Sequence, residues 1–370
     1  PGSIWLIGNE PDSPVQDNVV PEVYAQRYHE IYHIIKGADP TARIAAGGVV
    51  QPTPLRMEYL DRVLQAYRDA YSVSLPLDAW HIHSFILTEA ESWGAGVPVG
   101  LDAEHGELYA WPDDTDDLSI FEARLRDFRQ WMALRGYRDV PLWITEYGTL
   151  ADYYYRDPFV DSDGDPFDEA RAQDFMLGTF DLLLSMNDAD TGYPADNDRL
   201  VQRWVWYSSD DGWMGGMLFD PNTSEPRMLA HAWHTYTASI SPTVDLLPAS
   251  ITQLDVPLSP TAPATTTIRV RISNGGNIAL TESVTVTVKD AESGDLIAEP
   301  YEIAAGLSGC ATSVEFDVEW ANLSPGAHTL RVEVDPTGQL TERNESNNVL
   351  EASVIVALAQ TYLPLIYRGY

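Results

Sequence analysis

The feature that most limits the fold of this chain is a pattern repeated through its first 240 residues: a short apolar run, then a stretch with helical spacing. The runs are Ile4–Ile7, Arg43–Val50, Ala79–Phe85, Leu142–Tyr147 and Leu200–Tyr207. They are near-continuously apolar, as strands buried on both faces are. After the first run comes PEVYAQRYHEIYHIIKGADP. Pro21 suits a first helical turn, Tyr24, Tyr28, Ile31 and Ile35 recur at helical spacing, and Gly37 suits a C-terminal cap. The later helical stretches open PLRMEYL, LSIFEAR, DEARAQDF and SEPRMLAH. Strands alternating with helices point to a parallel sheet covered by helices, an α/β unit. Two architectures satisfy the pattern: an open doubly wound sheet, or the last five units of an eight-unit barrel. No Gly-rich phosphate loop follows the first run, which counts against a nucleotide-binding open sheet.

Near residue 241 the texture changes. Residues 241–264 are rich in Pro, Ser and Thr and read as a linker or the lead-in to a new domain. Over residues 265–357 the period switches to two: Ile268, Val270 and Ile272, then Val284, Val286 and Val288, then Val314, Phe316 and Val318, then Leu330, Val332 and Val334. Turn clusters NGGN, ESGD, SPGA and DPTG separate them. This is the signature of an all-β, immunoglobulin-like sandwich. Residues 358–370 form an apolar tail, read as an edge strand or a docking segment.

Charge narrows the partners. With 56 acidic against 22 basic residues the net charge is −34, which repels nucleic acid and anionic membranes and leaves neutral or cationic partners, neutral sugars being the leading class. The single cysteine, Cys310, permits no intrachain disulfide and reads as structural. No run approaches the ~20 apolar residues of a membrane span. A chain that begins at Pro1, directly on a strand and without a signal peptide, reads as a fragment or processed form.

Ligands of α/β folds bind at the carboxyl ends of the parallel strands. The first run ends in Asn9 and Glu10, the third in His83, the fourth in Glu146 and Tyr147, and the fifth in Trp206, with Trp204 two residues earlier on the same face. Singly, each has a plain structural reading: a turn, a satisfied core histidine, packing aromatics. Jointly they put two carboxyls, an imidazole and indoles around one cleft. Two carboxyls are the minimal kit for glycoside hydrolysis, one protonating the leaving oxygen and the other attacking the anomeric carbon or activating water. An indole offers an apolar platform to a sugar ring.

These motifs resemble the retaining glycoside hydrolases built on (β/α)8 TIM barrels with catalytic glutamates on strands four and seven, the superfamily that includes families 5 and 39. IWLIGNEP matches its strand four, with Asn9 beside the acid/base Glu10, and LWITEYG matches its strand seven, with the nucleophile Glu146. WHIHSF matches its strand six through His83, and WVWY offers Trp206 as the strand-eight aromatic. The resemblance implies that residues 1–240 are strands four to eight of a barrel lacking strands one to three. It implies hydrolysis of O-glycosidic bonds with water as acceptor and neither cofactor nor metal, with Asn9, His83, Tyr147, Trp204 and Trp206 as substrate-binding residues. One departure stands out. Phe85 takes a position that usually carries a tyrosine whose hydroxyl touches the nucleophile, which would raise the Glu146 pKa or mark a non-standard site, and the missing strands would leave this piece of the chain inactive even where its parent is an enzyme.

Two loops add candidates. ADYYYRDPFVDSDGDPFDEA follows the fourth run, where Tyr153–Tyr155 would line outer sugar subsites. Its Asp161, Asp163 and Asp165 resemble the start of a calcium loop, but position twelve is Ala172 rather than Glu, so a solvated acidic turn is favoured. The loop after the third run offers Trp93 and Trp111, as sugar platforms or as plugs against the barrel. The C-terminal sandwich resembles the bacterial CARDB domain, above all in Asp335, Glu342, Asn344, Glu345, Asn347 and Asn348. These residues read as turn caps in preference to partner contacts. The family implies a secreted or cell-surface protein and a surface or polysaccharide contact through the sandwich. The rival functional reading is a non-catalytic carbohydrate-binding or adhesion protein with a degenerate barrel.

Overall fold

The computed structural model describes residues 3–90, 93–150, 159–211, 216–257 and 263–357. The chain divides into two compact units, Pro1–Ser241 and Pro242–Tyr370.

The first unit runs β1 (Ile4–Leu6), α1 (Pro21–Ala38), β2 (Arg43–Val49), α2 (Pro54–Tyr71), β3 (Ala79–His83), a small hairpin β4 (Glu89–Ala90) and β5 (Trp93–Gly94), α3 (Leu118–Leu134), β6 (Leu142–Tyr147), α4 (Glu169–Ser185), β7 (Arg203–Trp206) and α5 (Met228–Ser239). The main sheet has the order β1-β2-β3-β6-β7, every neighbouring pair is parallel, and the sheet curls into a half-barrel. Because strand order follows chain order without reversal, the doubly wound reading fails: that fold requires a switch point at which the order turns back.

Local chemistry accounts for the helix starts. Pro21 and Pro54 open α1 and α2, where a missing N–H costs nothing. Asp117 accepts from the Ser119 and Ile120 N–H groups at α3, and Asp168 from the Arg171 N–H at α4. The helices bury aromatic stripes against the sheet. Trp80 on β3 meets Phe128, Trp131 and Tyr137 edge-on. At one edge, the three residues of β1, Ile4, Trp5 and Leu6, stay 43–50% exposed; at the other, Val205 is 55% exposed and α5 buries only Leu229. A parallel sheet ordinarily has both faces covered, so these margins are unusual.

The second unit comprises β8 (Leu246–Gln253), β9 (Ala264–Asn274), β10 (Val284–Asp290), β11 (Tyr301–Ile303), β12 (Thr312–Leu323), β13 (Gly326–Val334) and β14 (Val349–Val356). They form antiparallel sheets ordered β11-β10-β13-β14 and β12-β9-β8 around one core. Ile268, Val270, Ile272, Val286, Leu330, Val332 and Val334 are fully buried, as their alternation requires. Of the two readings of the segment 241–264, the structure fits the lead-in to the new domain: the segment carries β8, which pairs with β9 along its length. Its Pro, Ser and Thr content hid an edge strand.

The polar residues before β14 cap turns. Asp335 accepts from the Gln339 and Leu340 N–H groups, and Asn344 from that of Ser346. Glu342 accepts from the Leu246 N–H and the Asn348 amide. Burial pushes Glu342 up to about 7, with Glu345 and Asp245 adding to the rise and its two donors opposing it. The folded state therefore disfavours the carboxylate. This group's contribution to stability is fully present below its ordinary value of 4.5 and is lost as pH rises towards 7. The sandwich transition in thermal unfolding should fall by a few degrees between pH 5 and pH 8, and Glu342→Gln should flatten that slope. An unchanged slope in the variant would place the titration elsewhere. Among the described residues no helix is long and apolar enough to cross a membrane.

Candidate active site

Glu10 sits just beyond β1 on a turn whose backbone the sequence shapes: Gly8 has φ +90° and Glu10 itself φ +48°. The Glu10 N–H donates to the Gly48 carbonyl at 2.8 Å, which ties the turn to the end of β2. His83 closes β3 and Glu146 lies near the end of β6. The β3–β6 register shifts between Ile82 and His83, and this shift sets His83 directly against Glu146. His83 Nδ1 lies 2.9 Å from Glu10 Oε1 and 3.5 Å from Glu146 Oε2. One atom from each of the three residues falls within 4.8 Å of the others. Carboxyls from the ends of β1 and β6, which have two strands between them in the sheet order, thus share one gap at the carboxyl ends of the strands.

The electrostatics are uneven. Burial raises the Glu146 pKa above the ordinary carboxylate range, the His83 ring pulls it back, and the Glu10 charge adds to the rise. His81, two residues deeper on β3, is buried and pushed down to about 3 by burial and by His83, so it is a neutral ring. Its Nδ1 meets Thr145 Oγ1 at 3.2 Å. The set Glu10, His83 and Glu146 is close enough to ligate a cation, but the facing His83 nitrogen is already spent on Glu10.

A cleft of about 230 Å³ opens over the pair. Glu10, Glu146, Phe85, Leu87, Tyr207 and Ser13 are among its walls. Phe85 and Tyr207 meet edge-on at 5.9 Å, and the Tyr207 hydroxyl is committed to Asp211.

The other expected residues fall elsewhere. Asn9 is exposed, its N–H capped by Asp17 Oδ2 at 2.8 Å, and it does not line the cleft. Tyr147 is fully buried against Phe121 and Trp206, so it is a core residue and not a substrate contact. Trp206 is also corrected. It is 4% exposed, its Nε1 donates to the Gly216 carbonyl, and its ring packs on Tyr147 and Phe175. Trp204 shares that side and, with Phe180 and Trp233, lines a separate cavity of about 70 Å³ under α4 and α5. The reason is strand parity: Trp204 and Trp206 do share a face, but it is the helix side. Tyr207, the next residue, turns into the cleft and is the aromatic that sequence reasoning missed. The alternation was visible, but which parity faces inward was not.

Of the loop candidates, Trp111 packs edge-on against Phe159 and does not reach the cleft. The Trp93 side chain and Tyr153–Tyr155 lie outside the described residues. Asp161 accepts from the Asp163 and Asp165 N–H groups and pairs with Arg171 at 2.6 Å. Arg171 therefore engages one of the three carboxylates considered for calcium at this turn.

These positions separate two substitutions. Trp206→Ala should cost ~3–5 kcal/mol of stability, as large aromatic cavities do. Tyr207→Ala should leave the melting temperature nearly unchanged and weaken ligand binding instead. Thermal unfolding of both variants checks this, and equal losses would contradict the assigned faces.

Residues 243–352 match the family model described as CARDB and form a CARDB domain. No curated protein matches the chain. Among solved structures, the CARDB domain of a Pyrococcus furiosus protein in complex with di-metal ions is 22% identical over 33% of this chain and 100% of that one, with a TM-score of 0.27. A family 128 (subgroup II) endo-β-1,3-glucanase from Sorangium cellulosum is 16% identical over 62% of this chain and 68% of that one, with a TM-score of 0.36. A Cellulomonas fimi endo-β-1,4-mannanase double mutant is 14% identical over 96% of this chain and 64% of that one, also with a TM-score of 0.36.

Proposed function

We propose that the first unit is the greater part of a retaining glycoside hydrolase, with Glu10 as acid/base and Glu146 as nucleophile. The observation that carries this reading is the meeting of the two carboxyls within 4.8 Å of each other and of His83, beneath an aromatic-walled cleft. Retaining enzymes hold their carboxyl groups ~5–5.5 Å apart, whereas inverting ones leave room for a water at ~6.5–9.5 Å. One oxygen of each carboxyl approaching within 4.8 Å fits the shorter separation, and the product anomer decides between the two outcomes. In the first step Glu146 attacks the anomeric carbon while Glu10 gives its proton to the departing oxygen. In the second, Glu10 takes a proton from water, and that water releases the sugar from Glu146. His83, bonded to Glu10 and beside Glu146, orients both carboxyls. Tyr207 and Phe85 offer apolar faces to the sugar.

The exposed apolar margins at β1 and β7 support reading the sheet as strands four to eight of a (β/α)8 barrel whose remaining units cover both edges. The CARDB domain and the strong negative charge suit a secreted or cell-surface protein acting on neutral polysaccharide.

The test is hydrolysis of a panel of aryl glycosides and neutral glucans and mannans, with the product anomer read by NMR. Retention of configuration is the expected result, and inversion would reassign Glu146 as a general base. Sugar binding with no release of reducing ends would favour the non-catalytic reading. The pH profile adds a check. A nucleophile must be ionised, and its ionised fraction is lost as pH falls through a raised pKa. The acidic limb should therefore lie above the ordinary glutamate value of 4.5. A limb at or below 4.5 would contradict the environment described for Glu146.

A further inference from the structure

Arg56 lies on the amphipathic helix α2, yet it is wholly buried. Its Nη1 donates to Asp12 Oδ2 at 2.6 Å, and its Nε lies 3.0 Å from Glu89 Oε1. Its Nη2 donates to the Ala95 and Gly96 carbonyls at 2.7 and 3.1 Å. Both carboxylates are themselves fully buried. Glu89 is held further by the Thr53 hydroxyl at 2.6 Å and the Glu107 N–H at 3.0 Å. Asp12 lies two residues after Glu10, and its carbonyl accepts from the Val99 N–H at 2.9 Å. Neither Asp12 nor Arg56 lines the cleft, whereas Glu10 and Ser13, which flank Asp12, and Gly94 and Ala95, at the end of the hairpin, do.

Stability alone is a poor reason for such a cluster, because well-packed apolar residues commonly serve as well as or better than a buried ion pair. Here Asp12 Oδ1 is left without a hydrogen-bond partner of good geometry, a further cost. What a planar guanidinium provides is direction: one rigid fork fixes acceptors from several segments at once. We infer that Arg56 is the positioning residue of this site, fixing the Glu10 turn through Asp12 and the hairpin wall through Glu89, Ala95 and Gly96. The inference rests on Glu10 being the acid/base, and it adds the group that aims it.

The test uses Asp12→Asn in the whole chain, a change that keeps shape and one hydrogen bond while removing the charge. Amide exchange comes first. The N–H groups of Glu10, Ser13 and Val99 should exchange roughly 10-fold faster or more, with those of the sandwich unchanged, because a local unit has been loosened. Turnover of a 4-nitrophenyl glycoside comes second. A misaimed acid should lower kcat by roughly 10–100-fold while KM stays within about twofold, since no cleft contact is lost. Unchanged exchange at those three amides would overturn the inference. So would faster exchange accompanied by a raised KM and an intact kcat, which would mark the cluster as merely structural. If the unaltered protein cleaves no glycoside even in a polypeptide whose sheet margins at β1 and β7 are covered, the hydrolase reading fails by itself, and the exchange result still decides whether Asp12 and Arg56 hold the Glu10 turn.

Discussion

Glu146→Ala should reduce turnover of every glycoside on the order of 10⁴-fold, whatever the leaving group, and added azide should restore part of it by attacking the anomeric carbon from the vacated side. Glu10→Gln should behave differently. Its loss should approach ~10²–10⁴-fold for a sugar leaving group, which needs a proton, and should shrink for 2,4-dinitrophenolate, which departs without one. This divergence separates nucleophile from acid in a way that loss of activity alone does not. The Glu10 charge helps to raise the Glu146 pKa, so Glu10→Gln should also lower it. Equal losses across all leaving groups in both variants would undo the assignment of roles. The assay belongs in a polypeptide whose sheet margins at β1 and β7 are covered, since an open cleft wall weakens binding irrespective of chemistry.

Arg56→Met should be among the most destabilising single changes in the first unit. Removing the guanidinium strands two fully buried carboxylates, Asp12 and Glu89, without a cation. Breaking a buried pair in this way costs ~3–5 kcal/mol. For a unit of this size that lowers the melting temperature by roughly ten degrees or more. Burial already pushes the Asp12 carboxyl up to about 6 against the pull of Arg56, so without Arg56 it should go higher still. The control is Arg62→Met on the same helix. Arg62 pairs with Glu58 at 2.8 Å, but both are exposed, and the change should stay within about 1 kcal/mol. Similar losses in the two variants would mean that the burial of Arg56 carries no special energetic weight.

Much of the half-barrel was legible because its signal is local. Ile44 and Ala46 on β2, Trp80 and Ile82 on β3, and Leu142 and Ile144 on β6 are all buried, and continuous apolar runs announce that condition. Glu10 and Glu146 were legible because a carboxyl at the end of such a run is chemically out of place. The facing of Trp204, Trp206 and Tyr207 was not legible. Alternation says which residues share a side, and only the curl of the sheet says which side is the inside. The register shifts beside His83 and Tyr147 move that assignment by a residue, and nothing in LWITEYG announces them. Arg56 was illegible for a related reason. In PLRMEYLDR it looks like any charge on an amphipathic helix, and its acceptors come from residues 12, 89, 95 and 96.

The amino-acid order alone determined the strand–helix alternation, the all-β texture of the C-terminal part and the two carboxyls that end buried runs, because each depends on periodicity along a few consecutive residues. Only the tertiary structure decided that the sheet keeps chain order, that Trp206 belongs to the core while Tyr207 faces the cleft, and that Arg56 is buried. Those outcomes depend on which distant segments meet, and a side chain's surroundings are set by its neighbours in space, not in sequence.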